Sequence, residues 1–392
     1  MPTFTVVAKS RASAIFYPGK ALAVEYIGRD RRSIFCIFRT NYLGGYAIPL
    51  PENLYVEARG EAENLLDASQ SFHEAALEIA ALTAFAANAD LGRLDVELTF
   101  DSSPELQEHD FVQTFVPDQP VAHVPARPID PNLVRDFLIA VHAHKESKRI
   151  QSAIGQYCEA LRRWNAGRGI ICLAHLYMGV EALTKAVLRQ HLEQNCMTQD
   201  ELIKEWQIER QKLDNEVRRR LIFKNDVGCF KKAKELSDSF EHGFGDFSKM
   251  HKPATEVVVK VAAYLRNAVI DICNVSQELK DSLQAEPYVK PRGPIQLIKK
   301  VKGVLAGHVE KLPKEGNAYP ILHWKSAIKD VALADSGLYT FEPEENITAE
   351  IGEGVVLTLK SFEGWDHDLV EPQAARNHFV PKGKGPIVKV IG

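Results

Sequence analysis

The sequence lacks the local signatures that mark a metalloprotein or a secreted protein. Its six cysteines are scattered and form no Cys-x-x-Cys pair, so neither a zinc site nor a disulfide framework is supported. The first residues, MPTFTVVAKSR, lack the basic start and apolar core of a secretory signal. No uncharged apolar run reaches the ~18 residues that a membrane-spanning helix needs. We therefore predict a cytoplasmic protein with no membrane segment, no metal and no cofactor.

Loop motifs of common enzymes are also missing. The chain has no glycine-rich Walker loop for phosphates and no nucleophile elbow of a Ser-His-Asp hydrolase. A content of 45% hydrophobic and 26% charged residues is ordinary for a folded chain, and the net charge of -4 excludes a protein that is basic throughout. A length of 392 residues suits two or three domains.

Residues 1–116 predict an α+β domain. Strand-like segments such as TFTVVAK and SIFCIFR carry β-branched and aromatic residues between glycine and proline breaks. Between them, LLDASQSFHEAALEIAALTAFAANA predicts one amphipathic helix. Residues 117–131 then contain five prolines, which predicts an extended linker and a domain boundary.

Residues 132–283 are predicted to form an all-α bundle, and residues 284–392 a small mixed or β-rich domain. The run from Gly169 to Leu183 is apolar almost all round, which is typical of a helix buried centrally among others. The C-terminal part contains IQLIKKVKGVLAG, which predicts a short basic helix, and strand-like pieces such as GVVLTLKSF. The predicted fold class is therefore multidomain α+β.

Three strings in the helical part, LAHLYMGVEALTKAVL, SFEHGFGDF and AAYLRNAVIDI, resemble the HEPN superfamily of prokaryotic helical bundles. Together with the N-terminal domain, the order of elements over residues 1–283 is similar to an uncharacterised branch named after methylamine-utilisation protein J. The resemblance implies a homodimer formed through the last helices of the bundle, and RNA- or nucleotide-linked recognition in a stress or antiphage setting. Catalytic members are metal-independent endoribonucleases that carry an arginine, a polar residue and, after a gap of four to six residues, a histidine.

Arg266 and Asn267 match the first two positions of that motif, but the positions open to the histidine hold Asp271, Ile272 and Cys273. Metal-free RNA cleavage needs a base and an acid, and histidine serves as either near neutral pH. An aspartate makes a poor acid unless its pKa is raised. The sequence therefore predicts that ribonuclease chemistry is reduced or lost.

Two other histidines offer an alternative, an active metal-independent endoribonuclease built on Arg266. His175 follows Arg168 on one helix face, two turns and ~10 Å further along the axis. His242 lies in the loop-like EHGFGDF, from which it could fold back toward Arg266. The competing interpretation is a structural role for both histidines.

Arg266 falls within the apolar arc of its own helix, where an unpaired charge is very costly. Glu181 is the natural partner, because it is the only acidic residue in the run from Gly169 to Leu183. One interpretation is a structural Glu181–Arg266 bridge that fixes helix register. The other is an arginine poised for phosphate and oriented by Glu181.

The segment RRRLIFKNDVGCFKKAK, residues 218–234, carries seven basic residues and one acidic residue. The predicted RNA-binding side chains are those of Arg218, Arg219, Arg220, Lys224, Lys231, Lys232 and Lys234. Phe223 and Phe230 are interleaved with them, and an exposed ring could stack on a base. The alternative is a solvated helix face whose phenylalanines point into the core.

Two segments gather acidic residues and histidines, EHGFGDFSKMH and GWDHDLVEP, but neither has the spacing of a known ligand set. We predict caps or loops there instead of metal sites. A last alternative is a non-catalytic scaffold or sensor subunit whose flanking domains bind other proteins. A solvent-reaching cleft that brings Arg266, Glu181 and a histidine together would favour the enzyme, whereas Arg266 sealed in a dry core would favour the scaffold.

Overall fold

The computed structural model describes residues 1–28, 31–43, 50–114, 127–243, 245–294, 297–307, 321–333, 339–350, 354–366 and 387–391. Over these residues the fold is mixed α+β, which confirms the predicted class at that level. The described strands are β1 (Thr3–Ser10), β2 (Ala14–Ile15), β3 (Leu22–Ile27), β4 (Ser33–Leu43), β5 (Leu50–Glu61), β6 (Asp95–Asp101), β7 (Phe111–Gln113), β8 (Arg127–Pro128), β9 (Leu297–Gly307), β10 (Ile321–Leu333), β11 (Tyr339–Glu350), β12 (Val355–Asp366) and β13 (Ile387–Ile391).

The helical elements follow mainly between β8 and β9. The α-helices are α1 (Leu65–Ala87), α2 (Pro131–Ala143), α3 (Ser147–Arg162), α4 (Gly169–Gln194), α5 (Gln199–Trp206), α6 (Leu213–Val217), α7 (Val227–Glu241), α8 (Phe247–Ile272) and α9 (Gln277–Gln284). A π-helical turn, which we call the π-turn, spans Arg218–Ile222 between α6 and α7.

The largest sheet in the described part of the chain has six antiparallel strands in the order β3-β4-β5-β1-β6-β7. Helix α1 covers one face of it. The helix begins at Asn64, whose side-chain oxygen accepts hydrogen bonds from the amides of Leu66 and Asp67 at 3.0 Å. Its buried residues, such as Phe72 and Ile79, pack with the buried residues of β1 and β5 because both surfaces are apolar.

Helix α4 is the centre of the helical part and packs against α3, α7 and α8. The close approach depends on Gly179, where a Cβ atom would lie 2.6 Å from Leu265 Cδ2. By length and composition alone α4 could cross a membrane, but 61% of its most apolar window is buried within the fold. This burial is typical of the core helix of a soluble protein, and it confirms the predicted central helix.

One apolar core joins the sheet, α1 and the helical part, since a single cluster includes Phe4 of β1 and Leu283 of α9. The predicted linker enters the fold at its end, because β8 pairs in parallel with β2 and Arg127 is buried. Residues 115–126 lie outside the described residues. The division into three domains therefore stays a prediction. The apolar core contains residues from both sides of the first predicted domain boundary.

In the C-terminal part, the predicted short basic helix is wrong. Residues Leu297–Gly307 form β9, which pairs antiparallel with β12. A short run of apolar and basic residues fits both the helical and the strand period. Here pairing with β12 favours the strand, and so do the β-branched residues Ile298, Val301 and Val304. The other described C-terminal strands pair as β10 with β11 and β11 with β13.

Candidate functional site

Arg266, the first residue of the half-motif, is only 4% exposed. Its guanidinium donates to the carbonyl oxygens of Phe85, of Ala86 at 3.1 Å and of Leu283 at 2.9 Å. It also lies over the Phe85 ring, 4.9 Å from the centroid. These carbonyls belong to the last turns of α1 and α9, where main-chain carbonyls lack the partner that a continuing helix would supply, and that of Phe85 also accepts from the Asn88 amide at 3.1 Å. Arg266 therefore caps two helices.

A second buried arginine completes this end of α1. Arg127 donates to the carbonyl of Ala87 at 3.0 Å and to that of Asn88. Burial lowers the pKa of both Arg127 and Arg266 to about 10, so both remain charged at neutral pH. Neither has a carboxylate partner among the residues that the structure describes. The negative end of the α1 dipole offsets the two charges instead.

The predicted Glu181–Arg266 bridge is wrong. Glu181 pairs with Arg218, whose Nη1 lies 2.7 Å from Glu181 Oε1, and Arg218 Nε also donates to Thr184 Oγ1 at 3.1 Å. The half-exposed Glu181 faces the π-turn, while the helix carbonyls already satisfy Arg266. The interpretation of Arg266 as a phosphate-binding group oriented by Glu181 loses its geometric basis for the same reason.

The other motif residues are held elsewhere. Asn267 Oδ1 accepts from Gln284 Nε2 at 2.9 Å, and His175 Nδ1 lies 2.9 Å from Gln156 Oε1. Burial lowers the pKa of His175. His242 is the exposed C-cap of α7. Within the described residues neither histidine is a hydrogen-bond partner of Arg266, so the predicted catalytic set is not brought together.

Most of the predicted RNA-binding side chains are neutralised locally. Six of the seven form ion pairs: Arg218 with Glu181, Arg219 and Arg220 with Glu216, Lys224 with Asp271, Lys232 with Glu256 and Lys234 with Asp238. Lys231 is exposed and has no ion pair in the described part of the chain. Phe223 and Phe230 are buried and pack edge to face at 5.5 Å, which confirms the core interpretation of these rings.

Backbone irregularity concentrates at the π-turn. It is followed by Lys224 and Asn225, two consecutive non-glycine residues with left-handed φ of 49° and 64°. Asn225 is held by Arg219, whose Nη1 donates to Asn225 Oδ1 at 2.9 Å and whose main-chain carbonyl accepts from the Asn225 backbone amide at 2.9 Å. π-turns and strained residues of this kind cluster at binding and catalytic sites.

The π-turn forms one wall of a groove whose other walls are α4 and α8. The cavity volume is about 290 Å³. Its polar lining residues are Gln190, His191, Gln194, Arg220, Lys224 and Asp271. Three of these side chains can carry positive charge and one negative charge, and two are amides that can donate hydrogen bonds.

The two permanent cations of the groove are held differently. Arg220 is fixed, because its guanidinium stacks on Trp206 at 4.8 Å and its Nε donates to Glu216 at 2.8 Å. Lys224 is 59% exposed and lies 3.5 Å from Asp271. Asp271 also accepts from Lys280 at 2.6 Å, so its charge is shared. The groove thus presents one preoriented guanidinium and one movable ammonium group.

Sequence reasoning found Arg220 and Lys224 but missed the residues opposite them. Gln190, His191 and Gln194 follow one another at helical spacing on α4, which was a weak signal of a polar face. Asp271 entered only as the residue in place of the motif histidine. Nothing in the sequence indicates that these two helices meet the π-turn.

Metal chemistry has no support in the described residues, where no group of three or more His, Cys, Asp or Glu side chains could hold an ion. Of EHGFGDFSKMH, Phe244 lies outside those residues, and of GWDHDLVEP so do residues 367–372.

In comparisons with known proteins, no family model, no curated protein and no solved structure matches the chain. The HEPN relationship therefore remains a resemblance of short strings, and function has to be argued from the geometry.

Proposed function

We propose that this chain is a non-catalytic, HEPN-like RNA- or nucleotide-recognition protein that holds a phosphate-bearing ligand in the groove between the π-turn, α4 and α8. The burial of Arg266 is the observation that supports a non-catalytic protein. An arginine that stabilises a phosphorane must reach the substrate. Among the described residues, the partners of Arg266 are main-chain carbonyls and one aromatic ring, all in the protein interior. Arg266 therefore has a structural role.

The groove supports the ligand class. Arg220 and Lys224 line it one helical turn apart, and His191 lines it from α4. Phosphate is matched by a fixed guanidinium together with a mobile ammonium group. The cavity volume of about 290 Å³ is close to the lower end, about 300 Å³, of small-molecule sites, and so suits a nucleotide.

The wider setting belongs to the same proposal and is supported by the resemblance. It comprises the cytoplasm of a prokaryotic cell, a stress or antiphage system, a homodimer through the last helices of the bundle, and a possible protein partner at the flanking domains. If RNA and nucleotides fail to bind, the scaffold or sensor alternative takes its place.

The binding test uses fluorescence anisotropy with labelled single-stranded RNA and with labelled AMP, each at two salt concentrations. The variant is Arg220→Gln with Lys224→Gln. We expect at least tenfold weaker RNA binding, and a salt slope reduced by about 2, because two phosphate contacts are lost. The control pairs Lys231→Gln with Lys290→Gln, which removes two charges from exposed lysines outside the groove lining.

An equal loss in the control would mean that only net charge matters, and would overturn the groove assignment. The same would follow if the wild-type protein bound neither ligand. Circular dichroism and thermal melting of every variant show whether the fold is retained.

The nuclease test incubates labelled tRNA and single-stranded RNA with the protein in EDTA, which removes metal-dependent contaminants. We expect no cleavage by the wild type. Cleavage that disappears in His175→Gln or His242→Gln, with unchanged melting, would contradict the proposal and restore the ribonuclease alternative. These two variants are preferable to Arg266→Ala, which destabilises the fold.

A further inference from the structure

The six-stranded sheet turns one face to α1 and the apolar core, and its second face carries exposed side chains. We call this second face the open face. Side chains alternate between the faces along each strand. Phe4, Val6 and Ala8 of β1 point into the core, so Thr5 belongs to the open face. The pairing register then assigns the neighbours of Thr5 on the other strands to the open face as well.

One cross-strand row on the open face combines three aromatic rings with Arg59 and Thr5, and Glu25 of β3 lies beside Phe35 at its end. Phe35 of β4 lies beside Arg59 of β5, Arg59 beside Thr5 of β1, Thr5 beside Phe100 of β6, and Phe100 beside Phe111 of β7. Because neighbouring strands are ~4.8 Å apart, the row extends for about 20 Å across the sheet.

The two ends of the row and its cation are exposed, whereas Thr5 between them is buried. Phe35 is 46% exposed and Phe111 is 64% exposed. Arg59 is also exposed, and in the described part of the chain it makes no ion pair. Six of the seven basic residues of the 218–234 segment differ from it, because they form ion pairs. An exposed guanidinium between aromatic rings can meet a phosphate while the rings meet flat apolar groups.

A second row adds a further stacking position. Arg39 of β4 lies beside Tyr55 of β5, with its guanidinium 4.8 Å from the centre of the tyrosine ring. On the other side of Tyr55 is Lys9, which pairs with Glu97 at 2.8 Å. The open face therefore carries rings and cations at several points of one surface, where Arg39 is paired with Glu57 at 3.9 Å and Lys9 with Glu97.

We infer that the open face binds single-stranded nucleic acid, with bases stacked on Phe35 and Phe111 and a phosphate held by Arg59. Every base has a flat π face, so such a surface takes single strands with little sequence preference. Bases in a duplex are already stacked on one another and cannot reach the rings. This surface shares no residue with the groove, and the inference does not depend on the groove's ligand.

The test measures anisotropy of labelled single-stranded RNA, single-stranded DNA and duplex RNA of one sequence. The variant is Phe35→Ala with Phe111→Ala, both exposed, so the core is untouched. We expect roughly tenfold weaker single-strand binding for each ring removed. The matched control is Leu66→Ala with Ile139→Ala, which removes two exposed apolar side chains on α1 and α2.

A second variant, Arg59→Gln, tests the phosphate contact. It should weaken single-strand binding and reduce the salt slope by about 1. The ratio of RNA to DNA affinity distinguishes the two sources of the same chemistry, and duplex RNA should bind more weakly than either strand.

The outcomes separate this inference from the proposed function. If the aromatic variant binds single strands as the wild type does, or if the apolar control loses as much affinity, the open face is not the site and the inference is wrong. Loss only in the groove variant would keep the proposed function and remove this surface. Loss only in the aromatic variant would do the reverse. A wild type that binds no nucleic acid overturns this inference, and the proposed function falls with it only if AMP also fails to bind.

Discussion

The end of α1 and the π-turn both gather arginines, and they differ in what neutralises the charge. At the end of α1, Arg127 and Arg266 are buried and bind main-chain carbonyls. At the π-turn, Arg219 and Arg220 share the carboxylate of Glu216 near the surface. Carbonyl partners cannot be exchanged for a ligand without opening a helix end, whereas a carboxylate at the surface competes with phosphate on similar terms. The identity of the partner therefore separates an arginine that builds the fold from one that can bind.

The strongest test of this comparison is Arg266→Met. It leaves the carbonyls of Ala86 and Leu283 without their donor in a dry interior, while the Phe85 carbonyl keeps the Asn88 amide, so we expect a loss of about 3–5 kcal/mol in the free energy of unfolding. Urea unfolding followed by circular dichroism measures it. Arg219→Met is the matched control and should cost less than about 1 kcal/mol. Similar losses in the two variants would contradict the distinction.

A buried charge of the opposite sign gives the next largest effect. Burial raises the pKa of Asp90 to about 6 from 3.8, and the carboxylate accepts a hydrogen bond from the Gly92 amide at 3.0 Å. The folded state favours the protonated form of Asp90, so the free energy of unfolding falls as pH rises from about 4 through 6. Asp90→Asn keeps the acceptor and should stabilise the protein by up to about 3 kcal/mol at pH 7.5 and by nothing at pH 4.

The control for that prediction is Asp101→Asn. Hydrogen bonds from Ser103 lower the pKa of Asp101, so its ionised form suits the fold. The substitution should therefore lower the melting temperature at neutral pH and have less effect as pH falls. Melting curves of both variants at pH 4 and pH 7.5 should shift in opposite directions at the higher pH. A shift of the same sign would refute the assignment.

His142 provides a smaller test. Its Nε2 lies 3.3 Å from Glu78 Oε1, and this hydrogen bond raises the pKa of His142. The raised pKa means that the pair stabilises the fold fully below the unfolded pKa of about 6.5, and that this stability is lost as pH rises through the folded pKa. His142→Gln should lower stability more at pH 5.5 than at pH 8.5, by less than about 1 kcal/mol because the ring is partly exposed. An equal loss at both pH values would rule out the charged pair.

The smallest effect is expected at Lys232, whose Nζ lies 2.5 Å from Glu256 Oε2 at the surface. Lys232→Ala should change the free energy of unfolding by less than about 0.5 kcal/mol, and high salt should abolish the difference. A loss above about 1 kcal/mol in urea unfolding would show that these surface ion pairs also stabilise the fold.

The sequence allowed prediction of elements with a clear period. The β-branched and aromatic runs of β1 and β4, the amphipathic pattern of α1 and the all-round apolarity of α4 each correspond to the observed element. The prediction failed where the secondary structure of a segment depends on its pairing with a distant segment. IQLIKKVKGVLAG fits two periods, and β12 makes it a strand.

The partner of Arg266 was missed for another physical reason. A carboxylate was the expected partner, because carboxylate side chains are visible in the sequence. Backbone carbonyls are carried by every residue, so the sequence does not mark the ones that a helix end leaves open. Only the packing of α8 against the end of α1 selects Phe85 and Ala86.

The cap on α1 also has a consequence for synthesis on the ribosome. The helix ends at Ala87, but the groups that finish it come much later: Arg266 and the Tyr288 carbonyl, which accepts from Asn88 at 2.8 Å. Ser13 likewise waits for the Gly293 carbonyl, to which it donates at 2.6 Å. The N-terminal half therefore leaves the ribosome long before the residues that complete the cap on α1 are synthesised. A nascent chain stopped before residue 266 would expose this helix end to proteases and chaperones, long before any ligand could matter.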